Sequence, residues 1–394
     1  MNFTFRCIAF IFLFSGCTLS AAAAELKYAD GKNHWNADSL GNHRIVIRLT
    51  EKEYGKDRRA ARVVIPWRRR DDHPELKGLI IVDAQTGQRV MNVLRKAVSR
   101  ESGELLFEPV SGAGEYFVYY MLYKNEGRSN YPKGVYRAPD TTASAGWLGL
   151  LGSIPVMPAA VAEEYQSIDP FNSFYPMEII ATETETASLI QKNSGKPFIV
   201  FPEDRFHSIR MKHDLPLRWI RQEDRDRFAD SVQRGEFFTY QLGIYALQNL
   251  EEVNLTFTDL KGKKGGVISS KNISCFNTEG VSYTGVPSHT FLNVERGTIQ
   301  ALWCGVNVPE NIPSGMYTGK IKISAKGTQA KEISIRLFVC NTVAQEGGIG
   351  KPESMTRLRW VVDKTGLLPR MLQLARGTEP PEDIRIVRID PGLR

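Results

Sequence analysis

The chain has 394 residues, 42% of them hydrophobic and 24% charged, with a formal net charge of +7. That composition excludes a disordered or low-complexity chain and leaves room for two domains of about 150 residues each. No block of five like charges occurs, so the mild positive balance describes a solvated surface and argues against a nucleic-acid tail.

Residues 1–24 read as a leader. One positive charge, Arg6, precedes an apolar run over 7–14 and then small residues; the run is too short to span a bilayer. Two processing sites compete. Phe14-Ser15-Gly16-Cys17 resembles a lipobox, in which Cys17 would carry a lipid anchor. Ala22-Ala23-Ala24 before Glu25 fits ordinary signal-peptide cleavage. Either route predicts an exported chain, whether periplasmic, held at the outer membrane as a lipoprotein, or extracellular. Beyond the leader only Cys275, Cys304 and Cys340 remain, an odd set with no metal or haem spacing and room for one internal disulfide. All three lie in or beside apolar runs and are expected as buried free thiols.

From Trp35 the sequence alternates. In "HRIVIRLT" Ile45, Ile47 and Leu49 share one face, and Arg44 and Arg48 the other. "ARVVIPW", "GLIIVDAQTGQRV" and "GEYFVYYMLY" follow, punctuated by turn residues. An antiparallel β-sandwich is predicted over 26–140. Residues 141–173 are rich in Ala, Gly, Ser and Pro and read as a partly helical linker, with a helix over 159–166. Residues 174–342 read as a second antiparallel sandwich, in which Ile333, Ile335, Leu337 and Val339 face one way. Residues 343–394 form a short irregular tail. The predicted fold class is all-β, two sandwiches joined by the linker.

Chemistry-bearing motifs are sparse. "IPWRRRDDHPE" sets Arg68, Arg69 and Arg70 at a strand end beside Asp71, Asp72 and Glu75. Alternation sends Arg69 opposite its neighbours, and the carboxylates neutralise the run. A salt-bridged strand end is expected, not a nucleic-acid reader. Glycoside hydrolysis usually needs two carboxyl groups. Asp71, Asp72, Asp169, Glu178, Glu203, Asp204, Glu223 and Asp224 are available, but none sits in a signature. His207 and His213 are the nearest approach to a metal pair, and no metal site or cofactor is predicted. Trp35, Trp67, Tyr131 and Trp147 are the candidate carbohydrate-stacking residues, with core and interdomain packing as the competing reading.

"SLGNHRIVIRL", "IPWRRRDDHPE", "GAGEYFVYYMLY", "SFYPMEIIAT", "ENIPSGMYTGKIKI" and "MTRLRW" together resemble the N-terminal half of exported Bacteroidetes proteins of the glycoside hydrolase family 123-like group. That resemblance, covering about residues 35–360, implies β-sandwich domains ahead of a (β/α)8 barrel with β-N-acetylgalactosaminidase-like chemistry. The family's catalytic Asp-Glu pair belongs to that barrel, and no such dipeptide occurs here. A barrel needs about 250 residues, far more than the sequence given holds beyond Trp360. The resemblance therefore implies a non-catalytic accessory region, a truncated or frameshifted product, with the barrel as its missing intramolecular partner and glycans as the ligand class. The alternatives are a stand-alone glycan-binding lipoprotein and an active glycosidase with carboxylates between the sandwiches.

Overall fold

The structure is a computed structural model and describes residues 27–344, apart from 32–34, 129, 223–225 and 282–283. The leader with Cys17, the 345–394 part of the tail, and Glu223 and Asp224 lie outside the described residues. The fold is all-β, with a few short helices laid on sheet faces.

The first sandwich is one sheet folded on itself. Leu79–Asp83, Gly114–Tyr120, His43–Leu49 and Ala159–Ser167 form one half; Ala61–Ile65, Gly103–Phe107 and Val93–Val98 form the other. Ala159–Ser167 joins the halves. One edge pairs antiparallel with His43–Leu49, and the other pairs in parallel, first with Arg62 and Val63 and then with Lys27–Asp30. A bulge between Ala162 and Glu164 lets the strand turn this corner. Alternation puts Ile45, Ile47 and Leu49 against Val63, Ile65, Leu105 and Phe107 in a dry core. Each such side chain contributes about 1.5–3 kcal/mol by burial.

Two expectations need correction here. Residues 159–166 form a strand, not a helix, and the first sandwich runs on to Ser167, well into the segment read as a linker. Ala and Glu favour helix intrinsically, but the buried-exposed alternation of Ala160, Val161 and Ala162 fits an open sheet position, and pairing wins. The strands are also not uniformly antiparallel, since Arg227–Arg234 pairs in parallel with Lys331–Val343 in the second sandwich.

The second sandwich sets a four-stranded sheet (Phe198–Glu203, Phe237–Ala246, Ile299–Asn307, Ile273–Cys275) against a larger one. The larger sheet runs Arg227–Arg234, Lys331–Val343, Gly315–Ser324, Leu250–Phe257, Leu292–Val294. Ile333, Ile335, Leu337 and Val339 are all fully buried between the sheets, as their alternation predicts. Outside the four-stranded sheet lies a layer that the strand pattern did not announce. Helices Glu183–Lys192 and Leu217–Gln222 bring Leu189 and Trp219 onto Ile199, Phe201 and Tyr245. Trp219 stacks on Phe201 at 4.4 Å in space that Gly243 leaves free, because a Cβ there would meet the indole at 2.4 Å.

Both sandwiches close on the same device. The Tyr116 hydroxyl donates to the Gly112 carbonyl at 2.7 Å, and the Tyr317 hydroxyl donates to the Pro313 carbonyl at 2.7 Å. Each tyrosine follows a glycine two residues earlier, Gly114 at φ 151° and Gly315 at φ 149°, a backbone setting that a side chain would strain. Burial pushes the Tyr116 hydroxyl up to about 12.

Candidate functional site

The arginine run lies at the seam between the two sandwiches. Arg68 has a left-handed backbone, φ 48°, and its guanidinium leaves the first sandwich to grip Glu185 with two bonds of 2.7 and 2.9 Å. Its carbonyl accepts from the Ile180 N–H at 3.3 Å. Arg70 reaches Glu178 at 3.2 Å, which Arg210 also holds at 3.1 Å. From the neighbouring turn, Arg100 pairs with Asp214 through bonds of 2.8 and 2.6 Å, and Glu101 accepts from the Glu183 N–H at 2.6 Å.

Arg69 points the other way, as expected, though the strand ends at Ile65 and the left-handed turn at Arg68 rather than a pleat sets its direction. Buried beneath Trp67 and Tyr120, with its guanidinium 4.9 and 5.1 Å from their ring centres, it binds Asp71 at 2.8 and 2.7 Å. Lys77 joins the same carboxylate at 2.7 Å. Burial alone would raise the Asp71 carboxyl, but Arg69 and Lys77 outweigh it and hold the group below the usual carboxylate range. The run is therefore a salt-bridged strand end, and its second role is to latch the two sandwiches.

Beside the seam the two sandwiches leave a groove of about 870 Å³. One wall is the 72–75 turn and the 98–101 turn; the other is the Glu183–Lys192 helix with His213, Asp214, Leu215 and Tyr245. Ile180, Ala187, Ile190 and Leu215 make an apolar strip, and Asp72, His73, Glu75, Glu101, Glu183 and His213 a polar rim. Three of the lining carboxylates are engaged: Asp214 by Arg100, Glu101 by a backbone N–H, and Glu75 by His73 Nδ1 at 3.0 Å. A backbone hydrogen bond, with His73, holds the Glu75 carboxyl low. A glycosidic general acid needs its carboxyl raised. Burial, with Asp204 and Glu236 nearby, raises the Asp230 carboxyl, which does not line the groove.

The other sequence candidates are dispersed. Asp169 caps the Pro170–Asn172 turn. Glu203 is held by Arg218 at 3.0 Å and by the Trp219 indole N–H at 2.9 Å, and Asp204 accepts from His207 Nδ1 at 2.9 Å. Ligand atoms of Glu203, Asp204 and His207 lie within 4.8 Å of one another, but a cation there would face the Arg218 guanidinium, and the donors are already spent. His213 lies on the groove, apart from His207.

The aromatic candidates do not converge. Trp67 and Trp147 are 4% and 5% exposed, with indole N–H groups bonded to the Ser99 and Arg59 carbonyls; neither can stack on a sugar, because each ring is packed inside its layer. Trp35 is half-buried with the Arg44 guanidinium 4.4 Å from its ring centre, so one face is taken. Tyr131, 81% exposed on the Tyr123–Arg128 and Tyr131–Tyr136 hairpin, keeps its ring open. Sequence reading missed Arg100, Glu101, Glu185 and Asp214. The signal for Glu185 was present as Thr182-x-x-Glu185, a capping box.

Residues 33–168 match the family model described as glycoside hydrolase 123, N-terminal domain, a span that ends where the first sandwich ends. Similar solved structures include a family 123 glycoside hydrolase from Clostridium perfringens, described in terms of glycolipid glycan hydrolysis, at 16% identity and TM-score 0.30. That match covers 37% of this chain and 28% of that one, so the present chain spans little more than a quarter of its length. The Salmonella SafD adhesin matches at 11% identity and TM-score 0.20, covering 28% of this chain and 88% of that one. A Bacteroides ovatus GH5 xyloglucanase in complex with a XXXG heptasaccharide matches at 8% identity and TM-score 0.18, covering 32% and 19%. No curated protein sequence matches. The first sandwich thus carries the glycoside hydrolase 123 N-terminal domain signature, the family its sequence segments resemble.

Proposed function

We propose that this chain is the exported, non-catalytic accessory part of a glycoside hydrolase 123-like protein, whose two sandwiches act as one scaffold. The observation that carries it is the set of ion pairs at the seam: Arg68 and Arg70 of the charged run, with Arg100 of the neighbouring turn, are committed to Glu185, Glu178 and Asp214. A scaffold for a catalytic barrel needs a fixed angle between its parts, and paired charges with directional geometry supply it. A second reading, glycan presentation, is favoured by the groove, whose apolar strip and polar rim suit the CH faces and hydroxyls of a sugar. Export rests on residues 1–24, with Cys17 as the lipid attachment point or Glu25 as the new N-terminus.

The test is direct. The purified full chain is incubated with an aryl N-acetylgalactosaminide from pH 4 to 8, and no turnover is expected. Turnover that survives repurification and is lost in Asp72→Ala or Asp214→Ala would overturn the non-catalytic reading. The intact mass of material from whole cells reads the leader, with export contradicted by a chain still beginning at Met1. Saturable binding of N-acetylgalactosamine-containing glycans that Ile190→Asp abolishes would select presentation over pure scaffolding.

A further inference from the structure

Cys275 and Cys304 are register partners on neighbouring antiparallel strands, Ile273–Cys275 and Ile299–Asn307. One step along the ladder the Phe276 N–H donates to the Trp303 carbonyl at 2.8 Å, which makes the cysteines a non-hydrogen-bonded pair. Such pairs bring their Cα atoms to about 4.5 Å, inside the about 4.4–6.8 Å that a disulfide accepts. Both side chains are fully buried on the inner face of the sheet. The contact with Cys304 draws the Cys275 thiol down to about 7, while burial pushes the Cys304 thiol well up. Both are free thiols in this structure, the Cys304 thiol donating to the Leu302 carbonyl at 3.9 Å and the Cys275 thiol to Asn277 Oδ1 at 4.0 Å. Cys340 is half-buried on a strand of the opposite sheet.

We infer that Cys275 and Cys304 are a disulfide site, closed when the chain folds in the presence of a disulfide-donating oxidant. The bond would staple the neck of the 276–303 excursion, which carries the Glu279–Val281 and Pro287–His289 hairpin and the Leu292–Val294 strand. While the core is still open, the Cys275 thiolate attacks the donor disulfide and expels one donor thiolate. Cys304 then loses its proton and attacks the Cys275 sulfur of the mixed disulfide, releasing the second donor thiolate. The chain gives up two electrons and two protons, and the donor leaves as two thiols. Because both sulfurs are sealed in the finished core, closure belongs to folding. The inference stands apart from the accessory role, since its readout is thiol chemistry alone.

The full chain is refolded in mixed oxidised and reduced glutathione, denatured, alkylated without reductant and digested for mass spectrometry. The expected product is a peptide pair joined through Cys275 and Cys304, with Cys340 alkylated. Reduction should lower the melting temperature by roughly 5–10 °C, and Cys304→Ser should abolish that reductant-dependent shift. Full alkylation of both Cys275 and Cys304, or a link from either to Cys340, Cys7 or Cys17, would overturn the assignment. Should Cys304→Ser fail to fold, the map of the unmodified chain still decides.

Discussion

Three consecutive arginines divide between two tasks because backbone direction, not composition, decides where each charge goes. Arg68 and Arg70 leave the first sandwich, and Arg69 is turned into it beneath Trp67 and Tyr120. Alternation in the sequence foretold that Arg69 would part from its neighbours, but no single-chain pattern names a partner more than a hundred residues away such as Glu185. The same limit applies to the tryptophans. Trp67 and Trp147 read as platforms because ring content is visible in sequence, whereas the layers that bury them are built by distant strands. The Arg69–Asp71–Lys77 group makes a pH prediction. With its folded value depressed, Asp71 contributes stability fully above the unfolded carboxylate value of about 3.9. That contribution is lost as pH falls through the folded value. Asp71→Asn should cost about 3–5 kcal/mol near pH 7, because it strands a buried guanidinium. Urea melts of both proteins at pH 7, 5 and 3 should show the gap closing at pH 3; an undiminished gap there would refute the assignment.

Elements whose periodicity was unbroken were legible, and those made by pairing were not. Lys331–Val343 buries the face its alternation predicts and leaves the other open. His43–Leu49 buries Ile45, Ile47 and Leu49 but also Arg44 and Val46 on the face expected to be exposed, because Trp35 and Phe117 cover the Arg44 guanidinium. Ala159–Ser167 misled because Ala and Glu carry a helical bias that only its three strand neighbours override. The Glu183–Lys192 helix was announced by its capping box, in which Thr182 accepts from the Glu185 N–H, a signal that strand-rich surroundings obscured. A recurrence also lay in plain sight: Gly114-Glu115-Tyr116 and Gly315-Met316-Tyr317 give the two sandwiches the same hydroxyl-to-carbonyl clasp. Because each acceptor is four residues back, the clasp fixes the entry to a strand independently of side-chain packing. Tyr116→Phe and Tyr317→Phe should each cost about 1 kcal/mol, read as a lower urea midpoint with unchanged slope. Hydrogen exchange should speed up at the start of Gly114–Tyr120 in the first variant and of Gly315–Ser324 in the second. Uniform acceleration across both sandwiches would mean that the clasps are not local.

At the scale of the whole molecule, what matters is whether the two sandwiches move as one body. The connection after Ser167 is itself anchored, with Phe174 packed 5.1 Å from Tyr28 and 4.7 Å from His43, so the seam sets the remaining freedom. Of its ion pairs, Arg100–Asp214 isolates the latch best: Glu185 also caps its helix, and Glu178 is shared by Arg70 and Arg210. Arg100 is about one-third exposed and Asp214 about one-quarter, at 32% and 26%, which discounts the Coulomb gain for screening. The bidentate geometry, with a further bond from Arg100 to the Arg70 carbonyl at 2.8 Å, keeps the pair above a loose surface contact. A double-mutant cycle with Arg100→Ala and Asp214→Ala should return a coupling of about 1 kcal/mol. Small-angle scattering should show a larger radius of gyration in either single variant. Raising salt to about 1 M should weaken the coupling, since the Debye length then falls to about 3 Å. A zero coupling energy with an unchanged scattering curve would mean that Arg100–Asp214 is no latch, leaving the sandwiches held by the Arg68–Glu185 and Arg70–Glu178 pairs, the packing around Phe174 and the Ile180 backbone bond.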